Sequence, residues 1–205
     1  MKVLLINGSP HPKGNTSIAL AELEKTFAES GVETEIIQVG CQAVRGCIGC
    51  NSCKKNGKCV FDDIVNETAE KLKDADGLLV ASPVYYASAN ATVVAFLDRL
   101  FYSIPYDLSM KVGASVVVCR RGGASAAFDE LNKYFLISNM PVAASQYWNS
   151  VHGKKPGEAA QDVEGLQTMR VLARNMSFLI KSIALGRKQF GLPEAEEWTP
   201  MNFIH

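Results

Sequence analysis

The sequence predicts an α/β domain in which a five-stranded parallel sheet is covered by helices on both faces. Three observations carry that prediction. Short β-branched runs alternate along the chain with segments of helical period. Those runs are apolar on consecutive residues, as strands buried on both faces are. No internal repeat, low-complexity tract or linker divides the 205 residues, a length that one core can serve. Residues 1–205 are therefore expected to form a single domain.

Val3–Ile6 is the first strand. Leu20, Leu23 and Phe27 follow at helical spacing with Glu22, Lys25 and Glu29 between them, and Gly31 stands where a C-terminal cap belongs. A second strand covers about residues 34–39, and a cysteine-rich loop occupies residues 41–61. Asp62 or Asp63 can cap a helix running to about Asp74. Gly77–Ala81 is a third strand, and Val94, Leu97, Phe101 and Ile104 mark the helix after it. Val112–Cys119 is the fourth strand, followed by a helix carrying Phe128, Leu131 and Phe135. Pro141–Tyr147 reads as the fifth strand. Leu166, Met169, Ala173, Met176, Ile180 and Ile183 stripe a long last helix. In such a sheet every strand-to-helix loop emerges at the carboxyl edge, where ligands bind.

Charge excludes whole classes of partner. Lys plus Arg and Asp plus Glu number 21 each, so no global field draws in nucleic acid or an anionic membrane. The run Val3–Ile6 is too short for a signal-peptide core, and no stretch has the apolar length of a membrane span. The expected setting is the cytoplasm, where thiols stay reduced.

The loop after the first strand reads Asn7-Gly8-Ser9-Pro10-His11-Pro12-Lys13-Gly14-Asn15-Thr16-Ser17. It lacks G-x-G-x-x-G, and no acidic residue ends the second strand, so a dinucleotide site of that type is excluded; no Walker A lysine is present either. Hydroxyls at Ser9, Thr16 and Ser17, with helix-opening amides, can hold a phosphate without a paired cation. The alternative is that Asn15, Thr16 or Ser17 merely caps the helix.

Together with Ser82-Pro83-Val84-Tyr85-Tyr86 and Arg120-Arg121-Gly122-Gly123, this loop resembles the flavin-binding loops of flavodoxin-like NAD(P)H-dependent FMN reductases. The cysteine run before Asp62-Asp63 resembles the iron–sulfur flavoprotein branch of that family. The resemblance covers about residues 1–150. It implies a flavodoxin-like three-layer sandwich with strand order 2-1-3-4-5. Ser9, Asn15, Thr16 and Ser17 would hold the FMN phosphate. Pro83, Val84, Tyr85 and Tyr86 would line the isoalloxazine, a tyrosine offering a flat apolar face with a polar tip. Arg120, Arg121, Gly122 and Gly123 would approach the ring closely, an N–H or guanidinium near N1 favouring the anionic hydroquinone. Tyr147-Trp148-Asn149 could cover the ring or pack a subunit interface. NAD(P)H would be the co-substrate. Since the cofactor carries hydride chemistry, no catalytic side chain is assigned, and His11, His152 and His205 show no spacing for metal or triad chemistry.

Cys47, Cys50, Cys53 and Cys59 are spaced C-x2-C-x2-C-x5-C. Three cysteines at three-residue steps resemble a cluster-binding run, and the resemblance implies a [4Fe–4S] cluster on all four. Zinc more often takes two pairs with a longer spacer; four free thiols also remain open. Cys41 and Cys119 fit no ligand spacing and are expected to be buried. The resemblance thus implies an FMN oxidoreductase passing electrons to a quinone, a free flavin, a redox protein or the cluster, as a homodimer or homotetramer in which one subunit's cysteines can face another's flavin. An electron carrier without nicotinamide chemistry and a non-enzymatic zinc or thiol sensor are the competing readings.

Overall fold

A computed structural model of the chain describes residues 1–197, 199–201 and 203; His205 lies outside the described residues. Five strands form the parallel sheet: β1 (Lys2–Asn7), β2 (Glu33–Gln38), β3 (Gly77–Tyr85), β5 (Val112–Cys119) and β6 (Ser150–His152), in the order β2-β1-β3-β5-β6. A two-residue β4 (Ser88–Ala89) folds back antiparallel on the end of β3. Numbered among parallel strands alone, this is the expected 2-1-3-4-5 arrangement. The helices are α1 (Asn15–Glu29), α2 (Ser52–Asn56), α3 (Ile64–Lys73), α4 (Ala91–Ser103), α5 (Ala124–Ile137) and α6 (Val163–Phe190).

Period-two alternation sends successive strand residues to opposite faces. Val3 and Leu5 face the layer of α1 and α6, against Leu20, Leu23, Phe27, Met169, Met176 and Ile180. Leu4 and Ile6 face α3, α4 and α5, against Val65, Leu72, Phe96, Leu97, Leu131 and Phe135. Each such aliphatic or aromatic side chain contributes roughly 1.5–3 kcal/mol by leaving water. α1 closes through Gly31 at φ +68°, and Asp63 caps α3 by accepting from the Val65 amide at 3.1 Å.

The expected position of the fifth strand is corrected. The fifth strand is Ser150–His152, not Pro141–Tyr147. Gly113 donates to Pro141 O and accepts from Ala143 N, both at 2.8 Å, so the chain touches the start of β5 and then leaves. A serine turn, with Ser145 Oγ donating to Tyr147 O at 2.7 Å, carries Tyr147 and Trp148 into solvent before Asn149 O accepts from Val117 N and β6 begins. On α4, the fully buried apolar residues are Val93, Phe96, Leu97 and Leu100; Val94, Phe101 and Ile104 pack at the margin. The helix is apolar around most of its circumference, so period alone leaves its inward face one residue uncertain. Among the described residues no helix is long and apolar enough to cross a membrane.

Gly113 marks where α5 approaches the sheet: a Cβ there would stand 2.5 Å from Phe135 Cγ. Gly113→Ala is expected to lower stability by about 1–3 kcal/mol, read as a lower urea midpoint at unchanged m-value.

Candidate functional site

At the carboxyl edge, the loops after β1, β3, β5 and β6 enclose a cleft of about 790 Å³, within the range of small-molecule sites. Its floor is the β1–α1 loop, which is held by side chains acting on backbone. Asn7 Oδ1 accepts from Ser9 N at 3.0 Å, Gln38 Nε2 donates to Ser9 O at 2.7 Å, and Asn90 Nδ2 donates to Gly8 O at 2.7 Å. A Cβ on Gly40 would overlap the Gly8–Ser9 backbone; that closeness requires glycine at the end of β2.

The helix start is open to a ligand. Gly14 is the N-cap of α1, no side chain caps it, and no acidic residue stands in the first turn. The amides of Asn15 and Thr16, at the first two helical positions, have no carbonyl within the helix to bond. His11, Lys13, Arg120 and Lys154 line the cleft, and no aspartate or glutamate does. The helix dipole and the charges of Lys13, Arg120 and Lys154 act in the same direction, favouring an anion.

The structure separates the sequence-predicted residues into groups. Ser9, Asn15, Thr16, Pro83, Val84, Tyr85 and Arg120 all line the cleft. The Asn15 side chain, however, is engaged across the cleft mouth: Nδ2 donates to Lys155 O at 2.9 Å and Oδ1 accepts from Ala159 N at 3.2 Å. Ser17 braces the loop from behind, donating to Pro12 O at 2.6 Å. Tyr86 does not reach the wall. It and Ala87 both have positive φ, 51° and 60°, forming the two-residue turn between β3 and β4, and Tyr86 is fully exposed. Arg121 and Gly122 are exposed beyond the cleft. Gly123 supports the hairpin at φ +89°, where a Cβ would meet Ala87 Cα at 2.7 Å.

Sequence reasoning missed His11, Lys13, Cys119 and the Gly153–Pro156 loop. His11 and Lys13 lay in the quoted loop; a basic residue before a helix was the available signal. Gly153, Lys154 and Pro156 follow a strand that sequence placed too early. Cys119 is buried, as expected, and burial pushes its thiol up, with the Asp162 charge adding and a hydrogen bond from the Arg121 backbone opposing. Cys41 contradicts its expectation: it is exposed, in the turn that follows β2, an edge strand of the sheet.

The second site is the cysteine loop. Cys47, Cys50, Cys53 and Cys59 all line one small cavity of about 20 Å³, with Phe61, Arg99 and Tyr102. Every cysteine in the chain is free. Among the described residues no group of three or more His, Cys, Asp or Glu side chains converges as ligands of a single metal ion. The four residues border a small space instead. Asn51, Gly49 and Gly57 take positive φ, 55°, 64° and 69°, and Gly49 N donates to Cys47 Sγ at 3.5 Å. Short α2 rests on α4, where Tyr102 OH donates to Asn51 Oδ1 at 2.8 Å and Lys54 Nζ lies 4.3 Å from the Tyr102 ring centroid. Cys59 is fixed by Asn66, whose Oδ1 accepts from Cys59 N at 3.0 Å while Nδ2 donates to Cys59 O at 3.1 Å. Arg99, which sequence reasoning also missed, donates to Cys59 Sγ from Nε and Nη2, both at 3.3 Å.

The family model for NADPH-dependent FMN reductases matches residues 1–155. An iron–sulfur flavoprotein of Methanocaldococcus jannaschii is 38% identical over 191 residues, covering 89% of this chain and 99% of the relative. An iron–sulfur flavoprotein of Methanosarcina thermophila is 29% identical over 191 residues, covering 91% and 99%. The chain belongs to the NADPH-dependent FMN reductase family, in its iron–sulfur flavoprotein branch. Solved structures agree on the fold. RosB with bound 8-demethyl-8-formylriboflavin-5'-phosphate superposes at TM-score 0.72 and 15% identity over 100% of this chain and 92% of that one. An archaeal flavodoxin gives 0.59 and 17% over 88% and 99%. The family supports an FMN oxidoreductase, and the carboxyl-edge cleft pairs an anion-seeking helix start with an apolar wall at Pro83, Val84 and Tyr85.

A raised thiol pKa means less thiolate at a given pH. The rate of Cys119 alkylation by iodoacetamide is therefore expected to keep rising above the pH at which the same cysteine levels off in urea-unfolded protein, as peptide mapping would read. Coincident pH profiles would contradict the burial effect.

Proposed function

We propose that the protein is an FMN-containing NAD(P)H-dependent oxidoreductase that passes electrons to a small acceptor such as a quinone or free flavin, or through a [4Fe–4S] cluster held by Cys47, Cys50, Cys53 and Cys59. The observation that carries the flavin half is the uncapped start of α1 opening into a cleft with cations and no carboxylates. When bound, FMN accepts hydride and can release electrons singly, and a cluster takes them singly. The chain's part is to bind, orient and insulate.

Ser9, Thr16 and the amides of Asn15 and Thr16 would hold the phosphate. Pro83, Val84 and Tyr85 would lie along the ring, and Arg120 would stand near its polar edge, together with whichever of Arg121, Gly122 and Gly123 a bound flavin draws in. Asn15 serves the site by tying the loop after β6 to α1. The open side of the cleft leaves room for a nicotinamide to stack.

For the cluster, donor chemistry supports the reading: four thiols on one cavity, glycine-bent backbone, an amide and a guanidinium directed at sulfur. The cavity has the volume of about one water, so the loop would open to admit a cubane. Gly46, near the start of that loop, lines a groove together with Tyr85 and Tyr86, and Tyr85 also walls the FMN cleft. This adjacency supports electron passage within one subunit; a homodimer or homotetramer would add a route between subunits. The free thiols suit a reducing cytoplasm.

Anaerobic addition of NADPH or NADH to the FMN-loaded protein is expected to bleach the flavin's visible absorbance; no bleaching at saturating nucleotide would favour the electron carrier. Thr16→Val is expected to weaken FMN binding roughly 10- to 100-fold, the scale of one hydrogen bond to a charged group, measured by fluorescence titration. Anaerobic reconstitution should load about four iron and four sulfide per chain. Retention of zinc alone by a colourless protein would favour the sensor.

A further inference from the structure

Among the described residues, Arg99 is the one buried side chain carrying a full charge, at 1% exposure. Burying a guanidinium is costly unless every donor is matched. Here all are matched, and the partners are informative. Asp63 takes a two-point bond, Nη1 to Oδ2 at 2.7 Å and Nη2 to Oδ1 at 2.9 Å. The remaining donors go to the cysteine loop: Nη1 to Arg45 O at 3.4 Å, Nη2 to Phe61 O at 3.2 Å, and Nε with Nη2 to Cys59 Sγ. Phe61 lies between two guanidinium groups, its ring centroid 4.8 Å from Arg45 Cζ and 5.1 Å from Arg99 Cζ.

We propose that Arg99 is the positioning residue of the four-cysteine site: it clamps the loop at Arg45, just before Cys47, and at Phe61, just after Cys59, and it aims Cys59 Sγ inward with two N–H donors. An ion pair with Asp63 alone would satisfy the charge. It would not call for contacts on both ends of the loop and on a sulfur. The planar fork is needed, because a lysine ammonium is a compact point donor on a flexible stem and cannot span these acceptors. Tying the loop ends lowers the entropy lost when its cysteines gather around a bound group. Hydrogen bonds to a ligand sulfur stabilise the more negative, reduced state and raise the potential of the centre.

This inference rests on the cluster reading of the cysteines, and the experiment separates the two. Arg99→Lys and Arg99→Gln are prepared with FMN bound and iron absent. The rate of iodoacetamide labelling at Cys59 relative to Cys50 is followed by peptide mapping, then iron uptake and the cluster's midpoint potential are measured. The expected result is FMN binding unchanged, Cys59 labelling about tenfold faster, iron uptake less than half that of the parent chain, and a lower potential for any cluster that forms in Arg99→Lys. Unchanged Cys59 labelling and unchanged iron uptake would overturn the proposal, as would an unchanged potential in a fully loaded Arg99→Lys protein. If the parent chain takes up no iron, the cluster reading falls while Cys59 labelling still decides the clamp. If Arg99→Gln loses FMN, Arg99→Lys decides. If both do, the Nε–H resonance of Arg99 in ¹⁵N-arginine-labelled parent protein decides: displacement on iron loading supports the clamp, and a fixed resonance overturns it.

Discussion

The parallel pairing of β1 with β2 and β3 is the constraint on which the carboxyl-edge cleft depends. Its register sets Asn7 beside Gln38 on one side and Ala81 on the other. From that position the Asn7 carbonyl accepts from both Val39 N and Gly40 N, and Gly8 N donates to Ala81 O at 2.7 Å. The chain thus leaves the sheet already held by its neighbours, and α1 must start with its amides toward the carboxyl edge. A slip of one residue would reverse every inward side chain of β1 and turn this loop away from the cleft.

The two sites are built by different physics. The carboxyl-edge cleft is assembled from strand ends and a long helix, so its geometry follows from the most buried part of the molecule. Its anion preference comes from fixed amides, assisted by Lys13, Arg120 and Lys154 on the wall. The cysteine loop has little core of its own. Cys47 and Cys50 are exposed, α2 has no buried residue, and the loop's shape depends on hydrogen bonds from Arg99, Asn66 and Tyr102. Such a segment opens more readily than the sheet, which suits a loop that would have to widen around a guest.

The hairpin of β3 and β4 stands between them. Glu130 Oε2 accepts from Ser88 Oγ at 2.7 Å and from Ala89 N at 2.9 Å, and Gly123 gives the turn its backing. Tyr85 on this hairpin walls the carboxyl-edge cleft on one side and borders the groove that reaches Gly46 on the other. One pinned element therefore sets both the shape of the cleft and its separation from the thiols.

Much of this was legible in the chain itself. Consecutive apolar residues in Val3–Ile6, Gly77–Ala81 and Val112–Cys119, separated by helical periods, determined the layered parallel sheet, because burial on both faces leaves no other use for them. The spacing of Cys47, Cys50, Cys53 and Cys59 likewise determined that they could share one locus. Pattern could not determine which apolar run near Pro141 would pair, since Val142 and Val151 suit β5 equally and a serine turn makes the choice. Nor could it reveal that Asn15 bridges to Ala159, that Tyr86 faces solvent, or that Arg99 reaches Cys59 from 40 positions away. The two bridges are long-range hydrogen bonds made by side chains whose local sequence carries no period, and Tyr86 is turned outward by a hairpin, so only the packed fold decides them.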